Sequence, residues 1–416
     1  MSSLIRDPSL APEGERKIRW VAEWMPVLNR VRDRLRADGS VDGRRIAVIL
    51  PLEPKTAYLA AILAQAGASV SVAFQGVMVH DDVAAGLAAR GVDVFAQRGS
   101  TPEQELTFFE EVLARRPEVV IDDRADVIRL AHTTHPEVLE TLLGASEETT
   151  SGVVALRAMA ADGTLQVPCI AANDARCKRL FDNRYGTGQS AVNAVLDATN
   201  LLLAGKRVVI VGYGWVGRGI ARRARGLAAE VTVCEVDPFA ALEAYHDGFE
   251  VAPVLDACAI AELVITATGV REALGEEAID VLPDGALLAN AGGVDDEFDV
   301  GKLRARATEV RRVREHVEEF RLASGRSVFV VGGGVVVNLS AGEGHPAEIM
   351  DLTFGVQALS AVYLLQHGRE LAAGVHLLPA EIDEEIARAK LEALSLRIDS
   401  LTPAQESFLR AWEAFS

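Results

Sequence analysis

The stretch "GKRVVIVGYGWVGRG" at residues 205–219 decides the fold of this chain. Its apolar run "RVVIV" is typical of a strand, and Gly212, Gly214 and Gly217 follow it before the helical pattern "GRGIARRARGL". The first glycine permits a tight turn, the second lets the backbone approach a pyrophosphate, and the third lets the helix pack against the strand. Free N–H groups at the start of that helix attract an anion. The stretch therefore predicts a dinucleotide-binding turn.

The next strand, "VTVCEVD", indicates which dinucleotide is bound. It ends at Glu235, where an acidic side chain accepts a hydrogen bond from a ribose 2′-hydroxyl and repels a 2′-phosphate. We therefore expect NAD rather than NADP.

The order of the elements predicts an α/β protein. Strand and helix patterns alternate from "RIAVILPL" to "EVVIDD", and again from residue 205 to "SVFVVGGG"; helical patterns follow. We expect two doubly wound parallel-sheet domains, one of them a Rossmann NAD-binding domain, with a C-terminal helical return to the first domain. The predicted boundaries are 1–185 for a substrate-binding α/β domain, 186–343 for the Rossmann domain, 344–394 for the helical return and 395–416 for a short tail.

Composition narrows the class of partner. The 416 residues carry a formal net charge of −18, which argues against nucleic acid or an anionic membrane surface. The N-terminus lacks the apolar segment of a signal peptide, so a cytoplasmic protein is expected. Four cysteines form no CxxC pair and have no histidine at metal-ligand spacing, so neither a disulfide framework nor a metal site is expected.

A cluster of polar residues precedes the dinucleotide turn in "NDARCKRLFDNRYGTGQS", residues 173–190. Lys178 and Asp182 lie four residues apart, a spacing that by itself usually marks a solvated helix face. Their surroundings change that interpretation. Together with "IDDRADVIRLAHTTHPEVLETLLGASEETTSGV" at 121–153 and "NLSAGEGHPAEIMDLTF" at 338–354, the cluster resembles the adenosylhomocysteinase family along nearly the whole chain.

The resemblance implies a redox-neutral cycle on an adenine-type nucleoside. Bound NAD oxidises a ribose 3′-hydroxyl, a base removes the acidified 4′-hydrogen, the 5′ substituent leaves, and the ketone is reduced again. By the same resemblance Lys178 is the base for the hydroxyl, held by Asp182; Asp123 accepts the 4′-proton and Glu148 holds the ribose hydroxyls. The pKa of Lys178 is then expected to fall toward neutrality through burial beside NAD⁺.

The resemblance also implies binding residues and an assembly. Substrate would contact Glu53, Lys55, Thr149, His345, Met350 and Phe354. The cofactor would contact the three glycines of the turn, Gly212, Gly214 and Gly217. It would also contact Val216, Glu235, Thr149, Thr150, Ser151, Asn183, Thr268, Asn290, Ala291, Gly292 and Asn338. The expected partner is a small-molecule nucleoside, and the expected assembly is a homo-oligomer, either a dimer or a tetramer.

Six positions depart from the family pattern, and two of them are Glu53 and Lys55, which stand where the family has a threonine and a glutamate that help to read adenine. Pro51 and Gly293 stand where the family has active-site histidines, Thr187 stands in place of a cysteine, and Ala240 replaces an asparagine that binds NAD. Proline cannot donate or accept a proton. We therefore expect the residues that oxidise the ribose to be complete, and the residues that act on the leaving group to differ from those of the family.

The departures leave several functions open. A nucleoside dehydratase of specialised metabolism, which eliminates water, fits them best. An ordinary adenosylhomocysteinase with substitute groups is the alternative. A non-catalytic NAD-binding regulatory paralogue is a third possibility, although it has no need of the Lys178–Asp182 pair; an unrelated NAD enzyme is a fourth. The sequence leaves the nucleoside base and the leaving group undetermined.

Overall fold

Short β-branched runs alternate with helices through the first half of the chain. The computed structural model describes residues 3–411, and its first domain contains the following elements: α1 (Ala11–Glu23), α2 (Pro26–Asp38), β1 (Arg45–Val48), α3 (Pro54–Gln65), β2 (Ser69–Ala73), α4 (Asp81–Ala89), β3 (Asp93–Phe95), α5 (Pro102–Leu113), β4 (Val119–Asp122), α6 (Asp126–Thr133), β5 (Gly144–Glu147), α7 (Thr150–Ala161), β6 (Pro168–Ile170) and α8 (Arg176–Arg179). The next helix, α9 (Thr187–Thr199), packs in the core of the second domain. A π-helix, Asp182–Gly186, leads into α9.

Local chemistry explains where several of these helices begin. Prolines occupy the first turn of α1, α2, α3 and α5, where the missing N–H costs nothing and the fixed φ suits a helix. Glu53 caps α3 by accepting hydrogen bonds from the backbone N–H groups of Lys55 and Thr56. This cap fixes the carboxylate at the end of β1.

The second domain carries the dinucleotide turn. Its elements are β7 (Arg207–Val211), α10 (Trp215–Gly226), β8 (Glu230–Cys234), α11 (Pro238–His246), β9 (Glu250–Val251), α12 (Val254–Cys258), β10 (Leu263–Thr266), α13 (Glu276–Val281), β11 (Ala286–Asn290), α14 (Val300–Arg306), β12 (Ala307–Arg314), β13 (Val317–Leu322), β14 (Ser327–Val331) and α15 (Val337–Ser340). The strand order is β12–β13–β14–β11–β10–β7–β8–β9.

This sheet confirms the predicted Rossmann domain and adds a feature that the sequence analysis missed. Five of its strand pairs are parallel, but β12, β13 and β14 pair antiparallel as a meander at one edge. The meander has one largely exposed edge strand rich in arginine, so its hydrophobic alternation is weak in the sequence.

The chain then returns to the first domain, as predicted. The last elements are α16 (Ala347–His367), β15 (Gly374–His376), α17 (Ala380–Ala393) and α18 (Pro403–Arg410). Strand β15 was not predicted; it pairs parallel with β6 and completes a seven-stranded, all-parallel sheet of order β15–β6–β5–β4–β1–β2–β3.

Helix α16 passes through the core of the first domain. It is long and apolar enough to cross a membrane, yet 83% of its most apolar window is buried within the protein. Its Asp351 accepts hydrogen bonds from the N–H groups of Val27 and Leu28 at the start of α2 and pairs with Lys390 of α17 at 2.8 Å. The helix is therefore a core element that joins α2, near the N-terminus, to α17, near the C-terminus. All four cysteines are buried and free.

Candidate active site

The carboxyl ends of both sheets face one cavity. Asp123 directly follows β4 and Glu148 directly follows β5, which are neighbouring strands of the first sheet. Gly292 follows β11 of the Rossmann sheet and reaches the same cavity, which is partly open to solvent and, with its open mouth included, holds about 1080 Å³ of empty space. Ligands of open α/β sheets bind at this edge of the strands. We call this space the central cavity.

The dinucleotide turn has the geometry that the glycines predict. Gly212 adopts a φ of +96°, and a Cβ on Gly217 would lie 1.9 Å from the carbonyl oxygen of Gly212. A Cβ on Gly214 would meet no atom within 4 Å, so the backbone there is open to approach. The Glu235 carboxylate accepts the N–H of Tyr213 at 2.7 Å, which holds it beside the turn. These residues fit NAD.

Lys178 is positioned by a contact between two distant parts of the chain. Asp383 of α17 accepts the first N–H groups of α8, those of Arg176 at 2.6 Å and Cys177 at 3.0 Å. Helix α8 ends after one turn, and Asp182 begins the π-helix. Lys178 and Asp182 are thus buried at a helix junction rather than exposed on a helix face.

The Lys178 ammonium lies among three acceptors. Its Nζ is 3.1 Å from Asp182 Oδ1, 2.9 Å from Asn183 Oδ1 and 3.6 Å from Glu148 Oε1. Burial disfavours the charged form, but the Asp182 and Glu148 carboxylates outweigh it, and the pKa of Lys178 lies above its usual value. The protein's own groups therefore act against the lowering expected beside NAD⁺, because two carboxylates face one ammonium.

Asp182 connects the lysine to the returning helix. Its Oδ2 accepts the hydroxyl of Thr353 at 2.9 Å, and its Oδ1 lies 3.3 Å from Nδ1 of His345. Burial opposes ionisation, but Lys178 and His345 hold the pKa of Asp182 below its usual value. Nε2 of His345 lies 3.0 Å from the Thr187 hydroxyl. Asp182 thus stays ionised and orients Lys178.

Two further carboxyl groups in the cavity have raised pKa values. Burial raises the pKa of Glu148 to about 8, although the Lys178 ammonium opposes this rise. Glu148 also accepts the side-chain amide of Gln357 at 2.5 Å. Burial raises the pKa of Asp123 to about 6, against the opposing charge of Arg124. Raised carboxyl pKa values in a cavity mark candidates for proton transfer.

Two family models match this chain. One, described as S-adenosyl-L-homocysteine hydrolase, matches residues 2–137, and its NAD binding domain matches residues 183–344. The S-inosyl-L-homocysteine hydrolase of Methanopyrus kandleri is 46% identical, over 98% of this chain and 97% of its own. The adenosylhomocysteinases of Pyrococcus abyssi (47%, over 98% and 97%) and Thermotoga maritima (46%, over 96% and 99%) are equally similar. The chain belongs to the adenosylhomocysteinase family.

This adenosylhomocysteinase-family enzyme is NAD-dependent. Five of the six predicted substrate residues line the central cavity; they are Glu53, Thr149, His345, Met350 and Phe354. Lys55 does not line the cavity but contacts Glu53, which does. The Lys55 ammonium lies 2.6 Å from Glu53 Oε2 and donates a hydrogen bond to the carbonyl of Glu343 at 2.7 Å. Lys55 therefore holds Glu53 and ties the first domain to the returning chain.

The predicted cofactor residues divide into four groups. Those lining the central cavity are Thr149, Thr150, Asn183, Val216, Ala291, Gly292 and Asn338. The glycine turn and Glu235 lie outside it, where the rest of a dinucleotide would extend. Asn290 and Thr268 support loops: the Asn290 amide donates to the carbonyls of Val294 and Gly334, and the N–H of Thr268 donates to Glu297. Ser151 faces a second cavity.

Several residues at the site were missed from the sequence. Thr353 and Gln357 follow Met350 and Phe354 at helical spacing, so the apolar face of α16 could have indicated them. Asp383, in contrast, acts across 207 residues of chain, and no local pattern marks it. Pro51 and Gly293 both line the central cavity, so the departures from the family lie in the site itself.

Proposed function

We propose that this protein cleaves a purine nucleoside thioether of homocysteine by transient oxidation of the ribose. The cluster of Lys178, Asp182, Glu148 and Asp123 in one buried cavity with the Rossmann loops carries this proposal. Relatives of 44–47% identity are named as hydrolases of adenosyl- or inosyl-homocysteine, which supports homocysteine as the leaving group.

Each side chain has a role that its surroundings suit. Lys178, oriented by Asp182, exchanges a proton with the ribose 3′-hydroxyl. Glu148 lies 3.6 Å from the same ammonium and holds the neighbouring hydroxyl. Asp123, on the adjacent strand end, accepts the proton from the carbon next to the oxidised centre. NAD, when bound, supplies the acceptor and later the donor of a hydride.

The Lys178 pKa has a consequence for this proposal. An ammonium flanked by two carboxylates is a poor base at neutral pH. The raised pKa of Glu148 offsets this, because a protonated Glu148 no longer stabilises the ammonium. The proton on Lys178 and the proton on Glu148 are therefore coupled, and both groups act on the ribose hydroxyls together.

Dehydration of the sugar is a second candidate, and Pro51 and Gly293 favour it. Neither residue can deliver a proton to a sulfur or remove one from an attacking water. Oxidation and 4′-deprotonation need only Lys178, Asp123 and Glu148, so they would survive the loss of both histidines. The 5′ hydroxyl would then leave as water, with the proton that Asp123 took from the 4′ carbon.

Mass spectrometry of the products separates the two candidates. The purified protein, with no added cofactor, is incubated with S-adenosyl-homocysteine, S-inosyl-homocysteine, adenosine and inosine. Release of homocysteine from either thioether, at a typical enzyme rate of about 10 s⁻¹, is expected from the hydrolase. A product lighter by one water from a free nucleoside would establish the dehydratase instead. If no nucleoside is consumed and none reduces the bound cofactor, both candidates are wrong.

A further inference from the structure

A buried carboxylate that takes no part in the reaction described above lies directly behind Asp123. Glu147 is the last residue of β5, and its register partner on β4 is Asp122, the residue before Asp123. Glu147 has no solvent-exposed surface, so its side chain does not touch a substrate. Burying a carboxylate is costly unless the protein supplies hydrogen bonds to it. The partners of Glu147 therefore indicate what it does.

Three backbone N–H groups from two loops donate to the Glu147 carboxylate. Its Oε1 accepts the N–H of Arg124 at 3.0 Å and the N–H of Thr149 at 2.9 Å, and its Oε2 accepts the N–H of Ala125 at 2.9 Å. Arg124 and Ala125 follow β4, whereas Thr149 follows β5. One carboxylate thus joins the loops that follow these two strands.

The turn after β4 depends on this support. Arg124 and Ala125 have φ angles of +60° and +55°, in the left-handed region that residues other than glycine rarely adopt. Such a conformation persists only where surrounding groups hold it, and it is concentrated at functional sites. Glu147 accepts the N–H groups of both residues. Because Asp123 lies between β4 and this turn, the turn sets the direction of the Asp123 side chain.

Helix α7 leaves space for the Glu147 side chain. A Cβ on Gly152, in the first turn of α7, would lie 2.2 Å from Glu147 Oε1 and 2.6 Å from Glu147 Oε2. These distances are far inside a normal contact of about 3.5–4.0 Å. A larger residue at position 152 would therefore displace the carboxylate without removing it.

The groups assigned to oxidation are held by other contacts. The N–H of Glu148 donates to the carbonyl oxygen of the last residue of β4 at 3.0 Å, and the Glu148 carboxylate accepts the amide of Gln357. Lys178 is held by its contacts within α8 and the π-helix. The Glu147 carboxylate belongs to neither set of contacts, so its support is specific to the two loops, above all to the strained turn.

We propose that Glu147 is a positioning residue for the 4′-proton abstraction assigned to Asp123. It holds the left-handed turn so that the Asp123 carboxylate faces the carbon next to the oxidised centre, and it takes no part in the oxidation itself. The inference rests on the proposed redox cycle. It applies to either leaving group, because proton abstraction precedes elimination in both cases.

Glu147→Gln tests this role with little change in the size of the side chain. The amide keeps one acceptor oxygen and replaces the other with an NH₂ group, which is a donor. Whichever way the amide is turned, the N–H of Arg124 or of Ala125 loses its acceptor and faces a donor instead. The turn is then no longer held, and Asp123 is displaced.

The test measures oxidation and proton abstraction separately in the purified protein with its bound cofactor. Stopped-flow absorbance at 340 nm gives the rate of cofactor reduction by adenosine, inosine and their homocysteine thioethers. Mass spectrometry in heavy water gives the rate at which the 4′ hydrogen exchanges. The variants are Glu147→Gln and Gly152→Ala. Asp351→Asn is the matched control, because it removes an equally buried carboxylate that accepts backbone N–H groups of α2.

We expect Glu147→Gln and Gly152→Ala to slow 4′ exchange by about 10- to 100-fold, because misplacing a reacting group by about 1 Å can cost about 100-fold in rate. Cofactor reduction should be nearly unchanged. The control should change neither rate, although its melting temperature should fall.

A merely structural role would slow both rates together. Equal slowing of the two rates, or unchanged exchange, in either folded variant would overturn the proposal, and so would failure of both variants to fold. A wild type that reduces its cofactor with none of these nucleosides would instead contradict the proposed function.

Discussion

The two halves of the active site differ in how completely their polar groups are paired. On the ribose side, Lys178 Nζ has three acceptors within 3.6 Å, and Asp182 receives Thr353 and His345 besides the lysine. On the 5′ side, Arg124 Nε and the Ser151 hydroxyl find no partner in the described residues. The first half is preorganised by the protein itself, whereas polar groups of the second half stay unpaired within the described residues.

This difference separates chemistry from specificity. A closed network fixes the positions of groups that move protons, because each member restrains the next. An open cavity instead selects the group that fills it. Substitutions in the ribose half should therefore change the rate for every substrate, and those in the 5′ half should change the choice among substrates.

The largest effect is expected from Lys178→Met. Without the amine, no group takes the proton of the ribose hydroxyl, and formation of the 340 nm signal should fall by about 10²- to 10⁴-fold. Stopped-flow absorbance with any accepted nucleoside measures this. Lys206→Met, which removes a partly exposed pair with Glu262, is the matched control. Full activity of Lys178→Met in folded protein would show that the lysine is only structural.

A smaller effect is expected in the pH dependence of proton abstraction. Asp123 must be ionised to accept a proton, and its pKa is about 6, so abstraction should decline as the pH falls below 6. The Arg124 charge lowers this pKa; Arg124→Met should therefore raise it and move the acid limb to higher pH. The rate at which solvent hydrogen exchanges into the substrate, followed from pH 5 to 8, measures this acid limb of the pH profile. A limb that does not move, or that moves to lower pH, would contradict the assignment of Asp123.

The openness of the 5′ half predicts a contrast between adjacent glycines. A Cβ on Gly293 meets only ordinary contacts, whereas one on Gly292 would lie 1.7 Å from Glu297 Oε1. Gly293→His should thus keep the wild-type melting temperature, and Gly292→His should lose about 1–3 kcal/mol of stability through overpacking. Equal melting temperatures for the two variants would contradict the claim that a side chain fits at position 293 but not at position 292. Gly293→His combined with Pro51→His should also accelerate release of homocysteine.

The smallest effect concerns the choice of cofactor. NAD at a hundred times its Kd should stabilise the protein by about 2.7 kcal/mol, and NADP by less, because Glu235 opposes a 2′-phosphate. Glu235→Gln should reduce the difference in melting temperature between the protein with NAD and the protein with NADP. Glu230→Gln, at the exposed beginning of the same strand, should leave it unchanged. A preference for NADP in the wild type would contradict the role of Glu235.

The sequence predicted most of the ribose half and little of the 5′ half. The glycine turn and Glu235 are local patterns, and the structure places both at the carboxyl ends of Rossmann strands. The Lys178–Asp182 pair was identified through the family resemblance, because its spacing alone is typical of a solvated helix face, and the structure buries it. The edge strand β15 and the contact of Asp383 with α8 depend on segments far apart in the chain, which no local period encodes. The β12–β13 hairpin was not predicted, because strand β12 is exposed and charged and lacks hydrophobic alternation.

Electrostatics was the least predictable property. The expected fall in the Lys178 pKa relied on burial beside NAD⁺, but the direction set by the protein's own groups depends on how many carboxylates the fold brings near the ammonium. Likewise, the unpaired state of Arg124 Nε and of the Ser151 hydroxyl among the described residues becomes apparent only when every neighbour is placed. Residue types could be predicted from the sequence, whereas their charge states and pairing could not.

Deuterium exchange tests the central claim most directly, because exchange requires oxidation followed by 4′-deprotonation. The protein is incubated in heavy water with S-adenosyl-homocysteine or adenosine, and the recovered nucleoside is analysed by mass spectrometry and NMR. We predict deuterium at the 4′ carbon with the wild type, and none with Asp123→Asn, which should still form the 340 nm signal. Turnover with no deuterium at that carbon, or unchanged exchange in Asp123→Asn, would contradict the account.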